Sequence, residues 1–166
     1  IVNPNNPTGK LIDLDTILGL LKSNPDTLFV IDEAYYEFAR QSCAHFVIGH
    51  KNLIVTRTFS KAFGLAAVRL GYVIAHPDVL FHLRKIKNGK TVNAMAQLCG
   101  ISALNDLDYL NARIDEMNDA KKFFIDNLSN KYTAVDSSAN FVLVKTPDAK
   151  DILDKLRENK ILIRDR

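Results

Sequence analysis

The sequence predicts an α/β fold: a mostly parallel sheet with flanking helices, followed by a small α+β unit. Three observations predict it. Short continuous apolar runs alternate with helical patterns, turn residues bound those runs, and the polar residues with chemistry in them stand where the runs end. Ile1-Val2 reads as a strand end, and Asn3 to Gly9, dense in Asn, Pro and Gly, as an ordered loop behind it. Leu14, Ile17, Leu18 and Leu21 share one helical face, and Asn24-Pro25 ends that helix. Leu28-Phe29-Val30-Ile31, stopping at Asp32, is the pattern of a strand buried on both faces of a parallel sheet. Leu53-Ile54-Val55 is a second such run and Tyr72-Val73-Ile74-Ala75 a third.

Pro77-Asp78 opens a helix through about Lys87, since Pro suits a first turn and Asp its positive end. From Val92 to Leu128 the pattern stays helical, with Gly100 and Asn105-Asp106 as candidate breaks. The apolar residues Leu98, Ile101, Leu104, Leu107 and Leu110 recur there at three-residue steps, a stripe suited to packing on the sheet or on a second subunit. The tail reads strand, helix, strand: Asn140 to Lys145, Asp148 to Asn159 behind a Thr146 cap and Pro147, then Ile161 to Arg164. The boundary between the two units falls inside the long helix, giving domains 1–110 and 111–166.

With 166 residues, 47% of them hydrophobic, the chain can bury a sizeable core. Its net charge of +3 is spread along the chain, so no basic block points to nucleic acid or to an anionic membrane. Cys43 and Cys99 lie far apart, outside metal-ligand spacing, and read as buried small apolar residues in a reducing cytosol. No apolar run reaches the roughly 20 residues that cross a bilayer, and no signal-type leader is visible. A cytoplasmic location is the expectation. Ile1 runs straight into a turn, and Ile161-Leu162-Ile163 stops at Arg166 with no closing element, so the chain reads as a fragment with partner segments on both sides.

Three polar segments converge on one sheet edge: Asn3 to Gly9, then Asp32-Glu33-Ala34-Tyr35, then Thr58-Phe59-Ser60-Lys61 with Arg69 following. A buried Asp after an apolar strand is costly unless it is paired with a cation or strong donors. Lys61, between a strand end and the small-residue stretch Ala62 to Ala67, sits where burial and a neighbouring guanidinium favour the neutral amine that attacks an aldehyde. Thr58, Ser60 and Arg69 offer two hydroxyls and a guanidinium fork, a set suited to phosphate. A hydrolase built on Ser60 with His45, His50, His76 or His82 is excluded, because no Gly-x-Ser-x-Gly elbow and no metal-spaced His pair occurs.

These motifs, in this order, resemble the fold type I pyridoxal-phosphate aminotransferases, and Asp32 to Phe38 with Arg57 to Tyr72 resembles their histidinol-phosphate branch. The resemblance covers nearly the whole chain, and Ala67-Val68 departs mildly from the Gly-Leu frequent there. It implies pyridoxal 5'-phosphate as cofactor and an internal aldimine on Lys61. It also implies Asn6 and Tyr35 as donors to the phenolic oxygen, Asp32 as partner of the pyridinium nitrogen, Ala34 against the ring face, and Thr58, Ser60 and Arg69 at the phosphate.

The implied activity is transamination from histidinol phosphate, a phosphorylated amino alcohol, to 2-oxoglutarate in histidine biosynthesis, by a homodimer. Aromatic aminotransferases and threonine-phosphate decarboxylases share these segments. A non-catalytic cofactor-sensing module and an inactive remnant are the readings from another class. The family's carboxylate-gripping arginine lies beyond Arg164 and Arg166, neither of which takes that role.

Overall fold

The computed structural model describes residues 1–165. Arg166 lies outside the described residues. The main sheet contains β1 (Phe29–Asp32), β2 (Leu53–Thr58) and β3 (Gly71–Ala75) in that order. Val2 bridges Asp32 in parallel on the far side of β1, with the Asn3 N–H on Asp32 O and the Asp32 N–H on Ile1 O, both at 2.8 Å. β1 and β2 are parallel, with Asp32 opposite Thr56.

β3 departs from expectation, because it runs antiparallel to β2 with Arg57 opposite Tyr72 and Thr58 opposite Gly71. The connection before it holds only one 3-10 turn, Ala66–Val68, and no helix to carry the chain back along the sheet. It folds back instead, the Phe59 N–H donating to Leu70 O at 3.0 Å. Glycine is required at position 71, since a Cβ there would stand 2.8 Å from Arg57 O.

Leu53-Ile54-Val55 is buried on both faces as expected, whereas β1 and most of β3 are covered mainly on one. Phe29, Ile31, Leu53, Val55 and Ile74 pack under Ile17 and Leu21 of α1 (Leu14–Ser23) and against Cys43 and Val47. Each large side chain fully buried in this way contributes about 1.5–3 kcal/mol. By strand alternation the opposite face carries Val30, Asp32, Ile54, Thr56, Thr58 and Val73, and Val30 and Val73 remain exposed. α1 starts where expected because Asp13 Oδ1 accepts the Thr16 N–H at 2.7 Å.

Of the longer helices, α3 (Pro77–Ile86) follows Pro77-Asp78, and the 92–128 stretch divides into α4 (Ala94–Leu104) and α5 (Leu107–Asp126). The shorter α2 (Tyr36–Ala39) lies between β1 and β2. The break falls at Asn105-Asp106, where Asp106 Oδ1 caps α5 through the Tyr109 N–H at 3.2 Å. Gly100 breaks nothing: it lies inside α4, and a Cβ on it would meet Leu70 Cδ2 at 2.6 Å. The small residues Ala96 and Gly100 therefore form the face that packs inward, and the expected stripe points outward along α4, with Leu98 and Ile101 each 60% exposed, while its last member, Leu110, is buried.

A second sheet pairs β4 (Thr133–Val135) antiparallel with β5 (Leu143–Lys145). β4 is too short to mark itself by alternation, and residues 136–142 form a loop where a strand was expected to begin. α6 (Ala149–Glu158) follows, with Thr146 Oγ1 accepting the Asp148 N–H at 3.1 Å. Ile161 to Arg164 is not a strand, for it has no partner strand among the described residues. None of the described helices is long and apolar enough to cross a membrane.

Candidate active site

The first polar loop is held rigid by its own side chains. Asn3, buried, accepts the Ile12 N–H at 2.7 Å, while Asn5 Oδ1 accepts the Thr8 hydroxyl at 2.8 Å. Gly9 adopts φ +72°, and the Asn3-Pro4 and Asn6-Pro7 bonds are cis. The loop is clasped from outside, since the Ser138 N–H donates to Gly9 O at 2.8 Å. Its product is the placement of Asn6, whose Nδ2 donates to Tyr35 Oη at 2.9 Å.

Tyr35 is fixed by a second apolar cluster. Its ring is buried with Phe38, Leu110, Ile114 and Ala139, and Phe141 meets it edge-on at 5.3 Å between centroids. Ala62 and Phe63 join the same cluster, which anchors the chain on either side of Tyr35 and just after Lys61. Lys61 Nζ stands 5.3 Å from the Tyr35 ring centre. Its side chain is exposed, so the apolar burial expected of it is not provided by the described residues.

Asp32 is half-buried at the end of β1, and its carboxylate has one hydrogen bond among the described residues, Oδ1 accepting the Ala34 N–H at 3.1 Å. No cation pairs with it among those residues. Thr58 Oγ1 accepts the Ser60 N–H at 3.1 Å and so shapes the turn that presents Ser60 and Lys61. Arg69 is left-handed at φ 55°, and its Nη1 donates to Ala66 O at 3.0 Å instead of to Thr58 or Ser60. The structure thus brings Asn6, Tyr35 and Lys61 together, keeps Asp32 on the site-facing side of the sheet, and leaves the Arg69 fork turned onto its own loop.

The carboxylate that is paired with a cation is Glu33, on the opposite face of the sheet. Only 1% exposed, it accepts Arg57 Nε at 3.0 Å, the Ser42 hydroxyl at 2.7 Å and the Cys43 N–H at 2.7 Å. Arg57 Nη2 also reaches Ser42 Oγ at 2.6 Å, and its guanidinium lies 3.4 Å over the Tyr36 ring. Burial opposes the Arg57 charge, yet Tyr72 and Glu33 outweigh it and raise its pKa.

Glu37, also buried, has neither carboxyl oxygen partnered among the described residues, and burial pushes its pKa up to about 7. Burial, with Glu33 beside it, likewise pushes the Cys43 thiol up to about 12. Strand parity was the signal available for this cluster, since the residue after Asp32 and the residue before Thr58 must both turn to the far face.

Chemically, the site presents two neutral hydrogen-bonding groups side by side, a carboxylate acceptor, a primary amine and two hydroxyls at adjoining strand ends. A family described as aminotransferase class I and II matches residues 1–166. A dihydroxyacetone phosphate transaminase of Campylobacter jejuni is 41% identical over 169 residues, covering 99% of this chain and 46% of that protein. A histidinol-phosphate aminotransferase of Methanococcoides burtonii is also 41% identical, over 167 residues, again 99% and 46%. The chain thus spans about half the length of these relatives.

Among solved structures, a histidinol-phosphate aminotransferase of Sinorhizobium meliloti in complex with pyridoxal-5'-phosphate superposes with a TM-score of 0.90 at 30% identity, over 99% of this chain and 47% of that one. An L-threonine-O-3-phosphate decarboxylase of Porphyromonas gingivalis gives a TM-score of 0.86 at 30% identity, over 99% and 53%.

Proposed function

The chain belongs to the class I and II aminotransferases, and from that premise we propose that it supplies the lysine-bearing half of a pyridoxal-phosphate site in a transaminase. The observation carrying this is the approach of Asn6 Nδ2 to Tyr35 Oη at 2.9 Å, with Lys61 Nζ 5.3 Å from the same ring. The donor set fits the group. Asn6 and Tyr35 converge as a phenolic oxygen requires, Asp32 is free of competing cations among the described residues, and Lys61 is an accessible amine. Thr58, Ser60 and Arg69 are the residues assigned to the phosphate, the last after turning from Ala66 O.

Bound there, pyridoxal phosphate supplies an electron sink for the pair left when a substrate proton departs. The residues of this chain do the rest. Asp32 would accept a hydrogen bond from the ring nitrogen and so favour its protonated form. Asn6 and Tyr35 hold the phenolic oxygen in place. Lys61 Nζ would hold the aldehyde carbon, and as a free amine it would be the base that takes the proton from the substrate's amine-bearing carbon. Borohydride reduction of the full-length protein followed by peptide mapping is expected to leave the cofactor's mass on Lys61.

For substrate we propose histidinol phosphate as amino donor and 2-oxoglutarate as acceptor, in a homodimer. The equal 41% identity to the Campylobacter transaminase favours a second reading, dihydroxyacetone phosphate as acceptor. Both compounds, like threonine phosphate, place the reacting carbon next to the carbon that bears the phosphate ester. A panel of histidinol phosphate, 2-amino-1,3-propanediol phosphate and threonine phosphate, read by amino transfer and by CO2 release, separates the three activities. Label on Lys61 with no turnover of any of them supports a sensing module instead.

A further inference from the structure

We propose that the buried Glu33–Arg57 pair is a positioning device that sets the lateral spacing of Asp32 and the Thr58–Lys61 segment, and thereby how tightly that site grips its cofactor; this rests on the reading of Lys61 as cofactor anchor. Asp32 and Glu33 are neighbours at the end of β1, and Arg57 and Thr58 are neighbours at the end of β2. Alternation sends the first pair to opposite faces and the second likewise. Asp32 and Thr58 therefore share the site face, while Glu33 and Arg57 meet directly behind them, Nη2 to Oε2 at 2.9 Å and Nε to Oε2 at 3.0 Å. Beyond Asp32 the two strand ends share one further ladder bond, the Glu33 N–H to Thr56 O at 2.9 Å. The side-chain crossbar continues the ladder where the backbone begins to part.

The crossbar is itself braced. Ser42 Oγ lies within 2.7 Å of both partners, the Cys43 N–H fixes the second oxygen of Glu33, and Tyr36 stacks under the guanidinium at 3.4 Å. Tyr72 stands opposite Arg57 on β3 and helps to raise its pKa. The end of β1, α2 and the Ser42 turn thus hold one guanidinium from three sides. A buried ion pair adds little net stability against well-packed apolar residues, because desolvation offsets attraction. What it adds is fixed geometry, since planar fork and carboxylate accept few relative orientations.

The test uses the full-length protein with Arg57→Lys, which keeps the charge and loses the fork, and Glu33→Gln, which keeps the shape and loses the charge. Both are expected to weaken pyridoxal phosphate binding about tenfold, the low end of what loss of a supporting hydrogen-bonded shell costs. Both are also expected to reduce the visible circular dichroism of the bound cofactor, with the borohydride mark remaining on Lys61. As a control, Arg40→Ala, which removes the exposed pair with Asp115, is expected to change neither. Should Arg57→Lys fail to fold, Glu33→Gln carries the same expectation. A folded variant marked at Lys61 that binds cofactor within about twofold of the parent, with unchanged dichroism, overturns the positioning role alone. An unmarked Lys61 in the parent overturns the cofactor reading and this inference with it.

Discussion

Gly9→Ala should be among the most damaging single-methyl changes in the molecule. Gly9 has φ +72°, and a Cβ built on it would lie 2.0 Å from Ser137 Oγ, 2.6 Å from Ser137 Cβ and 3.0 Å from Ser137 Cα. The backbone term alone is about 1–2 kcal/mol, the cost of a left-handed conformation for an L-residue. The steric term adds about 1–3 kcal/mol for overpacking. It resists relaxation because Ser137 is buried and its loop is pinned, Lys121 Nζ donating to Ser137 O at 2.6 Å and to Ala139 O at 3.0 Å. A loss of about 2–5 kcal/mol follows, read as a lower urea midpoint at constant slope in the full-length protein. Gly9→Ala with Ser137→Gly removes the two shortest contacts and leaves the 3.0 Å approach and the strain, so it should recover about half of that loss. A Gly9→Ala protein within about 0.5 kcal/mol of the parent, or a double variant no better than the single, refutes the clasp between the two loops.

Three further changes probe the site and its back face. Tyr35→Phe keeps the buried ring and removes the hydroxyl that meets Asn6, so cofactor affinity, measured by titrating the apoenzyme, should fall about ten- to a hundredfold while the melting temperature holds. Asp32→Asn keeps the shape at the end of β1 but not the charge, and kcat should drop by about 10²–10³, the scale of losing one preorganised electrostatic partner. Burial pushes the Glu37 carboxyl up to about 7 in the folded protein from its ordinary 4.5, so the unfolded chain releases its proton first as pH rises. Stability should therefore decline between about pH 4.5 and 7 and level off above; Glu37→Gln should flatten that decline in denaturation curves taken across the range.

The placement of Asn6, Asp32, Tyr35 and Lys61 at strand ends and the loops beside them was legible because it depends on short-range rules: a strand ends, a turn follows, and a polar residue occupies the edge. Two of the strands and the five longer helices were legible for the same reason, through apolar runs and end signals such as Pro77-Asp78, Thr146 and the break at Asn105-Asp106. What failed required knowledge of partners. β3 reads as a buried strand from Tyr72 to Ala75, yet its direction depends on a loop with no crossover helix, and its exposure on what covers the sheet. Leu98 and Ile101 look like a core face until Ala96 and Gly100 are seen to pack closest, because helix approach is set by the smallest side chains and not by the most apolar ones.

The charge cluster shows the same limit at the site itself. A carboxylate after a buried strand does need a cation, but the argument from cost applies to whichever carboxylate turns inward. Asp32 and Glu33 differ in sequence by one position and in environment by the thickness of the sheet. Glu33, 1% exposed, takes Arg57 as its partner, and Asp32 keeps its carboxylate uncommitted to any cation among the described residues. On the proposed cofactor reading Asp32 needs that arrangement, since a guanidinium on it would compete with a protonated ring nitrogen. Two acids in succession at a strand end are divided by parity: the inward one pairs with Arg57 of the neighbouring strand, and the outward one has no cation among the described residues.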